Sequence, residues 1–338
     1  MLNTALRALI INSKEANMSK TVLQVNHLKT YFTVDKRKNL FVRAVDDVSF
    51  SIDQGEIVAL VGESGSGKST IAYTIMGMYD TSGGEILFDG EDIANKKRTF
   101  DFKKKAQIVF QDPGSSLNSH QDVKEILSLP LKVHKVVKPD QIEAKIIETL
   151  DRVGLSEDFM FKSPTAIGGG EKQLVSIARA LCSNPEFIIL DEPTSNLDVS
   201  IQAKIINMLL KLHEEQSLSY LFITHDLSLV RNISTKVIIM YLGKICEIAN
   251  TEEFYGNPHH PYTQMLLSAI PVVSEEEEKL KPSRIRSTGE IPSPVNIPKG
   301  CSFNTRCHRA EPRCFEEDPV MIEVTEGHYV RCHLYGKC

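Results

Sequence analysis

Apolar residues along the chain fall into two patterns. Short, nearly unbroken runs occur at Ile57-Val58-Ala59-Leu60-Val61, Ala106-Gln107-Ile108-Val109-Phe110, Phe187-Ile188-Ile189-Leu190 and Tyr220-Leu221-Phe222-Ile223-Thr224. Runs of this length predict buried strands. Between them the spacing turns helical, over residues 70–76, 123–155, 174–181 and 201–215. Ile126, Leu127, Ile142, Ile146, Ile147, Leu150 and Val153 mark the second stretch, and Pro130 and Pro139 break it into pieces. It reads as a helical subdomain inserted between core strands. Ahead of the first core strand, Val22-Leu23-Gln24-Val25, Leu28-Lys29-Thr30-Tyr31-Phe32 and the partial alternation of Val45, Val48, Phe50 and Ile52 predict further short strands. Strands alternating with helices indicate an α/β fold.

Polar chemistry sits where the strand runs stop. The first run leads into Gly62-Glu63-Ser64-Gly65-Ser66-Gly67-Lys68-Ser69-Thr70, which fits G-x-x-x-x-G-K-[ST]. A strand before and a helix after are the context this phosphate loop requires. Its glycines let backbone N–H groups face phosphate oxygens at a helix start. Lys68 supplies a point charge, and Ser69 offers a hydroxyl to Mg²⁺. The second run ends at Gln111, whose amide can reach Mg²⁺ or an attacking water. The third ends at Asp191 and Glu192. Asp191 can hold Mg²⁺ through water, and Glu192 can take or orient the proton of the attacking water. The fourth ends at His225, placed to contact a γ-phosphate and fix Glu192. Three glycines, Gly168, Gly169 and Gly170, open the 174–181 helix, a costly choice unless the backbone must approach a phosphate. Phe32, with Tyr31 second, is the candidate for stacking on a purine.

Composition narrows the partners. The 338 residues carry net charge −5, which argues against nucleic acid as the main partner. No apolar run approaches the roughly 18 residues that span a bilayer, so membrane association would come through a protein partner or surface contact. No secretory signal is evident, and seven cysteines beside a phosphate loop suggest reduced thiols or a metal site rather than disulfides. Residues 1–17 read as a tail outside the fold, with Met18 as an alternative start.

Taken in order, these stretches resemble the nucleotide-binding subunit of an ATP-binding-cassette (ABC) transporter, over residues 23–249. Gly62 to Thr70 match the Walker A loop, Gln111 the Q-loop and Ile167 to Glu171 the signature. Ile188 to Glu192 match the Walker B strand with its catalytic acid, Ser195 to Asp198 the D-loop and His225 the switch histidine. Finer features are similar to the oligopeptide/dipeptide importer family. They are Gln111-Asp112-Pro113 with Ser115-Ser116-Leu117-Asn118, Asp198-Val199-Ser200-Ile201-Gln202-Ala203, and His260-Pro261-Tyr262-Thr263. Within that family the chain looks closer to the second of the two paired ATPase subunits.

The resemblance implies a P-loop NTPase of ABC type with an inserted helical subdomain and a small Cys-rich C-terminal region. Residues 1–19 would be an extension and 20–255 the ATPase domain, with the helical subdomain at about 113–165. Residues 256–290 would be a helix and linker, and 291–338 the Cys-rich region. It further implies ATP and Mg²⁺, two permease subunits, a second ATPase subunit closing head to tail, a periplasmic or extracellular substrate-binding protein, and a place on the cytoplasmic face of the membrane. The same branch also serves nickel, glutathione and oligosaccharide uptake. Soluble cassette ATPases usually carry two cassettes or long coiled-coil insertions, and neither appears here. A phosphate-loop kinase or GTPase would lack the glycine-rich signature.

One departure stands out. Where the family has Leu-Ser-Gly-Gly-Gln, this chain has Ile167-Gly168-Gly169-Gly170-Glu171. The serine hydroxyl is lost, and Glu171 adds a negative charge near phosphate. In the tail, Glu275 to Glu278 followed by Lys279, Lys281, Arg284 and Arg286 read as a solvated linker. The proline-rich segment beyond cannot bury a large core and needs a staple. Cys301, Cys307, Cys314 and Cys332 could converge on one centre. Four thiolates suit zinc or an iron–sulfur cluster, and an unmetallated site also remains open. The family resemblance favours a [4Fe–4S] cluster. Cys182 and Cys246 read as small core residues.

Overall fold

The computed structural model describes residues 20–35, 37–38, 40–270, 285 and 289–336. The amino-terminal extension, the charged stretch 275–284, Arg286 and Cys338 lie outside the described residues.

A hairpin of β1 (Thr21–Asp35) and β2 (Leu40–Asp53) opens the chain. The sequence pattern predicted shorter strands here. β1 runs through because its register shifts between Val25 and Leu28, where His27 takes φ +50. Such a bulge absorbs a change in alternation without ending the strand. β3 (Ile57–Val61) then leads through the phosphate loop into α1 (Lys68–Ile75). β4 (Gly83–Phe88) and β5 (Glu91–Asp92) complete a four-stranded antiparallel sheet with β1 and β2. α2 (Phe100–Lys105), capped by the Thr99 side chain, precedes β6 (Ala106–Val109).

The helical insertion follows. Asp112 caps α3 (Pro113–Ser116), and Asp122 and Glu125 form a reciprocal capping box on α4 (Val123–Val133). Pro130 does not break α4, contrary to the sequence reading. It sits in the last turn, where it removes a single intrahelical bond, and its own carbonyl still accepts from His134 N–H at 2.9 Å. Pro139 does open a separate 3-10 turn before α5 (Ile142–Arg152). α6 (Gly169–Leu181) starts five residues earlier than the apolar pattern indicated, because two glycines of the signature are already helical.

β7 (Phe187–Asp191), α7 (Val199–Gln216), β8 (Ser219–Thr224), α8 (Leu227–Ile233) and β9 (Lys236–Tyr241) complete the nucleotide core. β6, β7, β8, β3 and β9 are neighbours in that order and all parallel. β10 (Lys244–Asn250) adds antiparallel to β9 and is followed by α9 (Thr251–Gly256) and α10 (Pro261–Ala269). The tail then returns: β11 (Ile322–Thr325) and β12 (His328–Val330) extend the same sheet through β10.

Burial on both faces explains the unbroken apolar runs. Along β7, Ile188 and Leu190 pack with the helical insertion, whereas Phe187 and Ile189 pack with the antiparallel sheet. In β8, Tyr220 and Phe222 take the first face, and Leu221 and Ile223 the second. Each such side chain, fully buried, contributes about 1.5–3 kcal/mol. The two layers hold the sheet so that its carboxyl ends form one edge, the usual ligand position in an open parallel sheet. No helix among the described residues is long and apolar enough to cross a membrane.

Candidate active site

Sheet order alone brings the predicted residues together. β3, β8, β7 and β6 are adjacent, and the segments leaving their carboxyl ends carry Gly62, His225, Asp191 with Glu192, and Gln111. Val61 pairs with Thr224, Ile223 with Asp191, and Leu190 with Val109, so all four strands stop at one level.

Two glycines of the loop are dictated by space. Gly67 has φ +106, and a Cβ there would lie 2.0 Å from the carbonyl oxygen of Ala44. A Cβ on Gly62 would lie 2.2 Å from the Met240 carbonyl oxygen. Gly65 has φ +76 and Ser64 is exposed. The buried Lys68 ammonium donates to the carbonyls of Gly62, at 2.8 Å, and Glu63, at 3.0 Å. Burial lowers its pKa, against the opposing pull of Glu192, Asp191 and Glu63.

Ser69 Oγ donates to Asp191 Oδ1 at 3.0 Å. Asp191 is fully buried, and its Oδ2 has no partner within bonding distance. Burial raises its pKa, while Ser69 and Tyr73 pull it down. A buried hydroxyl–carboxylate pair with an unused oxygen, beside a phosphate loop, fits the hard-oxygen chemistry of Mg²⁺. Glu192 stands next to it with φ +46, a conformation costly for a residue with a side chain. The backbone is fixed there by Glu192 N–H to the Ile223 carbonyl at 3.0 Å, and by Ser195 N–H to the Glu192 carbonyl at 3.1 Å. Gln111 Nε2 donates to Glu192 Oε2 at 2.9 Å, and His225 Nδ1 lies 3.4 Å from Glu192 Oε1. Glu192 is thus held from both sides, with His225 largely exposed in front of it.

The signature glycines stand apart. Among the described residues no hydrogen bond joins Gly168, Gly169 or Gly170 to the phosphate loop. They lie instead beside the polar loop after β7. A Cβ on Gly169 would meet Leu197 at 3.7 Å, and one on Gly170 would meet Ile201 at 2.7 Å. Asp198 caps α7, accepting from Ile201 N–H at 3.0 Å. Gly168 has φ −72, and its N–H donates to Glu171 Oε2 at 2.8 Å. Phe32 lies on the hairpin, exposed, with its ring edge-on to Tyr79 at 5.0 Å. Tyr31 is committed elsewhere, its hydroxyl donating to Asp46.

The tail cysteines share one cleft. Cys301, Cys307, Cys314 and Cys332 line it together with Arg309 and His333. Cys301 N–H donates to the Cys314 carbonyl at 2.9 Å, and Asn304 Nδ2 bonds the same carbonyl at 3.0 Å. Burial pushes the Cys301 thiol up to about 12 and that of Cys332 to about 11, with mutual repulsion adding to both. Among the described residues no three of these sulfurs come within 4.8 Å of one another. Four thiolates on one zinc, at 2.3 Å each, would sit about 3.8 Å apart. Cys246 is a core residue, as expected, but it lies close enough to Cys301 and Cys332 to interact electrostatically with them.

One set of contacts has no counterpart in the sequence reading. Arg306, from the Cys-rich tail, bonds the Glu63 carboxylate of the phosphate loop, and the Tyr262 hydroxyl accepts from Glu63 N–H. Glu63 and Arg306 lie 243 positions apart, and nothing in the sequence between carries a signal that would pair them.

A parallel sheet with a phosphate loop and strand-end carboxylates on one edge defines a P-loop nucleotide hydrolase. Residues 45–195 match the ABC transporter family model, and residues 246–314 match the oligopeptide/dipeptide transporter C-terminal region. The oligopeptide transport ATP-binding protein AppF of Bacillus subtilis is 47% identical over 326 residues, covering 94% of this chain and 98% of the relative. The dipeptide transport ATP-binding protein DppF of Haemophilus influenzae is 39% identical over 327 residues, covering 95% and 98%. Among solved structures, a dimeric ATP-binding cassette in a post-hydrolysis state with ADP and Pi superposes with TM-score 0.60. It is 26% identical, and the match covers 68% of this chain and 98% of that one. The chain belongs to the ABC transporter family, among its oligopeptide and dipeptide transport ATP-binding proteins. It is an ATPase that uses Mg²⁺ and acts with membrane permease partners.

Proposed function

We propose that the chain is the ATP-hydrolysing motor of an oligopeptide or dipeptide importer. It works at the cytoplasmic face of the membrane with two permeases, a second ATPase subunit and a substrate-binding protein reached through the complex. Residues 20–255 form the ATPase domain, with the helical subdomain at about 113–165 facing the permeases, and 291–338 form the tail. The observation that carries this reading is Glu192, fixed between Gln111 and His225 beside Lys68.

ATP enters along the phosphate loop, with Phe32 offering a flat face to the purine. Its phosphates draw the Lys68 ammonium from the Gly62 and Glu63 carbonyls. Ser69 and Asp191 would hold Mg²⁺, which would supply positive charge against the phosphates. Glu192 accepts the proton of the attacking water, whose oxygen bonds the γ-phosphorus as the β–γ bridge breaks, so that ADP and phosphate leave; Gln111 and His225 keep the carboxylate aimed.

The second ATPase subunit completes this site with its own signature. This chain lends Gly168, Gly169 and Gly170 to the partner's nucleotide, and that site turns over slowly. The missing serine hydroxyl costs about 1.5–3 kcal/mol of binding to a charged phosphate. Glu171 adds to the handicap: its carboxylate already occupies the Gly168 N–H and places a negative charge at the helix start. A side chain at 168 has room, since a Cβ would meet only Glu171 Oε2, at 3.6 Å. In the complex purified with its permeases, Gly168→Ser is expected to raise ATP turnover roughly two- to tenfold. An unchanged rate and ATP affinity would sink the asymmetric reading, and failure of permeases to co-purify would sink the transport one.

The four tail cysteines hold a [4Fe–4S] cluster. The cluster would supply the covalent staple that a loop-rich segment needs. Support comes from the cleft that the four cysteines share and from the family resemblance. Anaerobic purification should give broad visible absorbance and about four iron atoms per chain, as cysteine ligation of such a cluster requires. One zinc, or no metal, would overturn it.

A further inference from the structure

One charge in the phosphate loop has the wrong sign for its place. Glu63 is the loop's second residue, and a carboxylate there repels the triphosphate the loop must hold. Three contacts fix it. Lys68 Nζ donates to its carbonyl at 3.0 Å, and its N–H donates to the Tyr262 hydroxyl at 3.1 Å. Its carboxylate takes a two-pronged pair from Arg306, Nη1 to Oε2 at 2.7 Å and Nη2 to Oε1 at 3.0 Å.

Arg306 is built for this. Its side chain is only 6% exposed, and the guanidinium lies over the rings of Tyr241 and Phe303. Phe303 packs into the core cluster that contains Ala59 and Val61 of β3. Arg306 also sits in the tight turn between Cys301 and Cys307, with its N–H donating to the Phe303 carbonyl. The tail therefore reaches the phosphate loop through one guanidinium held on a rigid aromatic seat. A forked donor matches a carboxylate in a way that lysine cannot.

We propose that Arg306 is a positioning residue for ATP binding: it neutralises Glu63 and holds that carboxylate off the phosphates, making the Cys-rich tail part of the nucleotide site. The inference rests on ATP binding at the phosphate loop. Loss of binding in Lys68→Ala, with binding kept in the unaltered chain, checks that premise separately.

A plain structural tether and a charge neutraliser differ in sign. Cutting a tether from either end would have the same effect. Removing a neutraliser hurts only while the charge it covers remains. The test is calorimetric titration of the full-length purified chain with MgATP. Arg306→Ala is expected to raise Kd about tenfold, the lower end of the range for a lost charged hydrogen bond. Glu63→Gln should bind at least as tightly as the unaltered chain. The double variant should return to within about threefold of it, since the two changes share one interaction. Should Arg306→Ala fail to fold, Arg306→Met keeps the aliphatic stem between the rings and takes its place. Should both fail, Glu63→Gln decides alone, and weaker binding in it overturns the proposal. An unchanged Kd in Arg306→Ala, or a double variant no better than the single, overturns it as well.

Discussion

Two helices in this protein begin with glycines, and the reasons differ. At α1, Gly62 and Gly67 are imposed by the backbone: each is packed against a carbonyl oxygen closer than any Cβ allows, and Gly67 also has a left-handed φ. At α6, Gly168 has an ordinary φ of −72 and free space around it. Glycine at 168 therefore removes a side chain without serving the backbone. The first opening is built to hold a nucleotide. The second has given up a hydroxyl and gained a carboxylate, Glu171, that satisfies its own helix end. Similar sequence texture thus covers one opening where the backbone leaves no room for a side chain and one where a side chain would fit.

Three measurements test this contrast. The largest effect belongs to Glu192→Gln, which keeps the shape and the Gln111 neighbour but cannot accept a proton. Turnover in the complex should fall by about 10²–10⁴ while ATP still binds. Retained turnover would move the general base elsewhere.

Next come paired alanines. Gly67→Ala should lower unfolding free energy by about 2–4 kcal/mol and abolish ATP binding, because strain and overlap add. Gly168→Ala should shift stability by less than about 1 kcal/mol. Equal losses in denaturant titrations would erase the distinction drawn between the two helix starts.

The smallest effect concerns Asp191. Its folded pKa is raised by burial, so the ionised form is penalised in the nucleotide-free fold. For an acid with a raised folded pKa, that penalty is present above the folded value and fades as pH falls through it. Asp191→Asn should therefore raise the Tm of the nucleotide-free chain at neutral pH by a few degrees and lose that advantage toward acid. The same variant should lose the extra Tm that Mg²⁺ adds to ATP binding. A variant less stable than the unaltered chain at pH 7 would contradict the burial argument.

Much of the site was legible because its residues follow strand ends. Lys68, Gln111, Asp191 and His225 each lie within a few residues of an apolar run, and a parallel sheet gathers such ends on one edge. Helix boundaries were less legible. Pro130 was tolerated because it falls in the last turn of α4, and α6 starts at Gly169 although the apolar period begins later. The tail was the least legible. Nothing in its local pattern shows that β12 would pair with β10, or that His328 would bond the buried Glu247 at 2.7 Å.

Motif spacing and apolar period are local properties, so the chemistry of nucleotide handling and the order of its parts are readable along the chain. Which charges meet is a matter of how distant segments pack. Glu63 and Arg306, Glu192 and Gln111, and the four cysteines of the cleft come from segments far apart in the chain. Their pairing depends on how two sheet layers pack and on where the returning tail finds an open strand edge, and electrostatic energy at bonding distance then separates partners from bystanders.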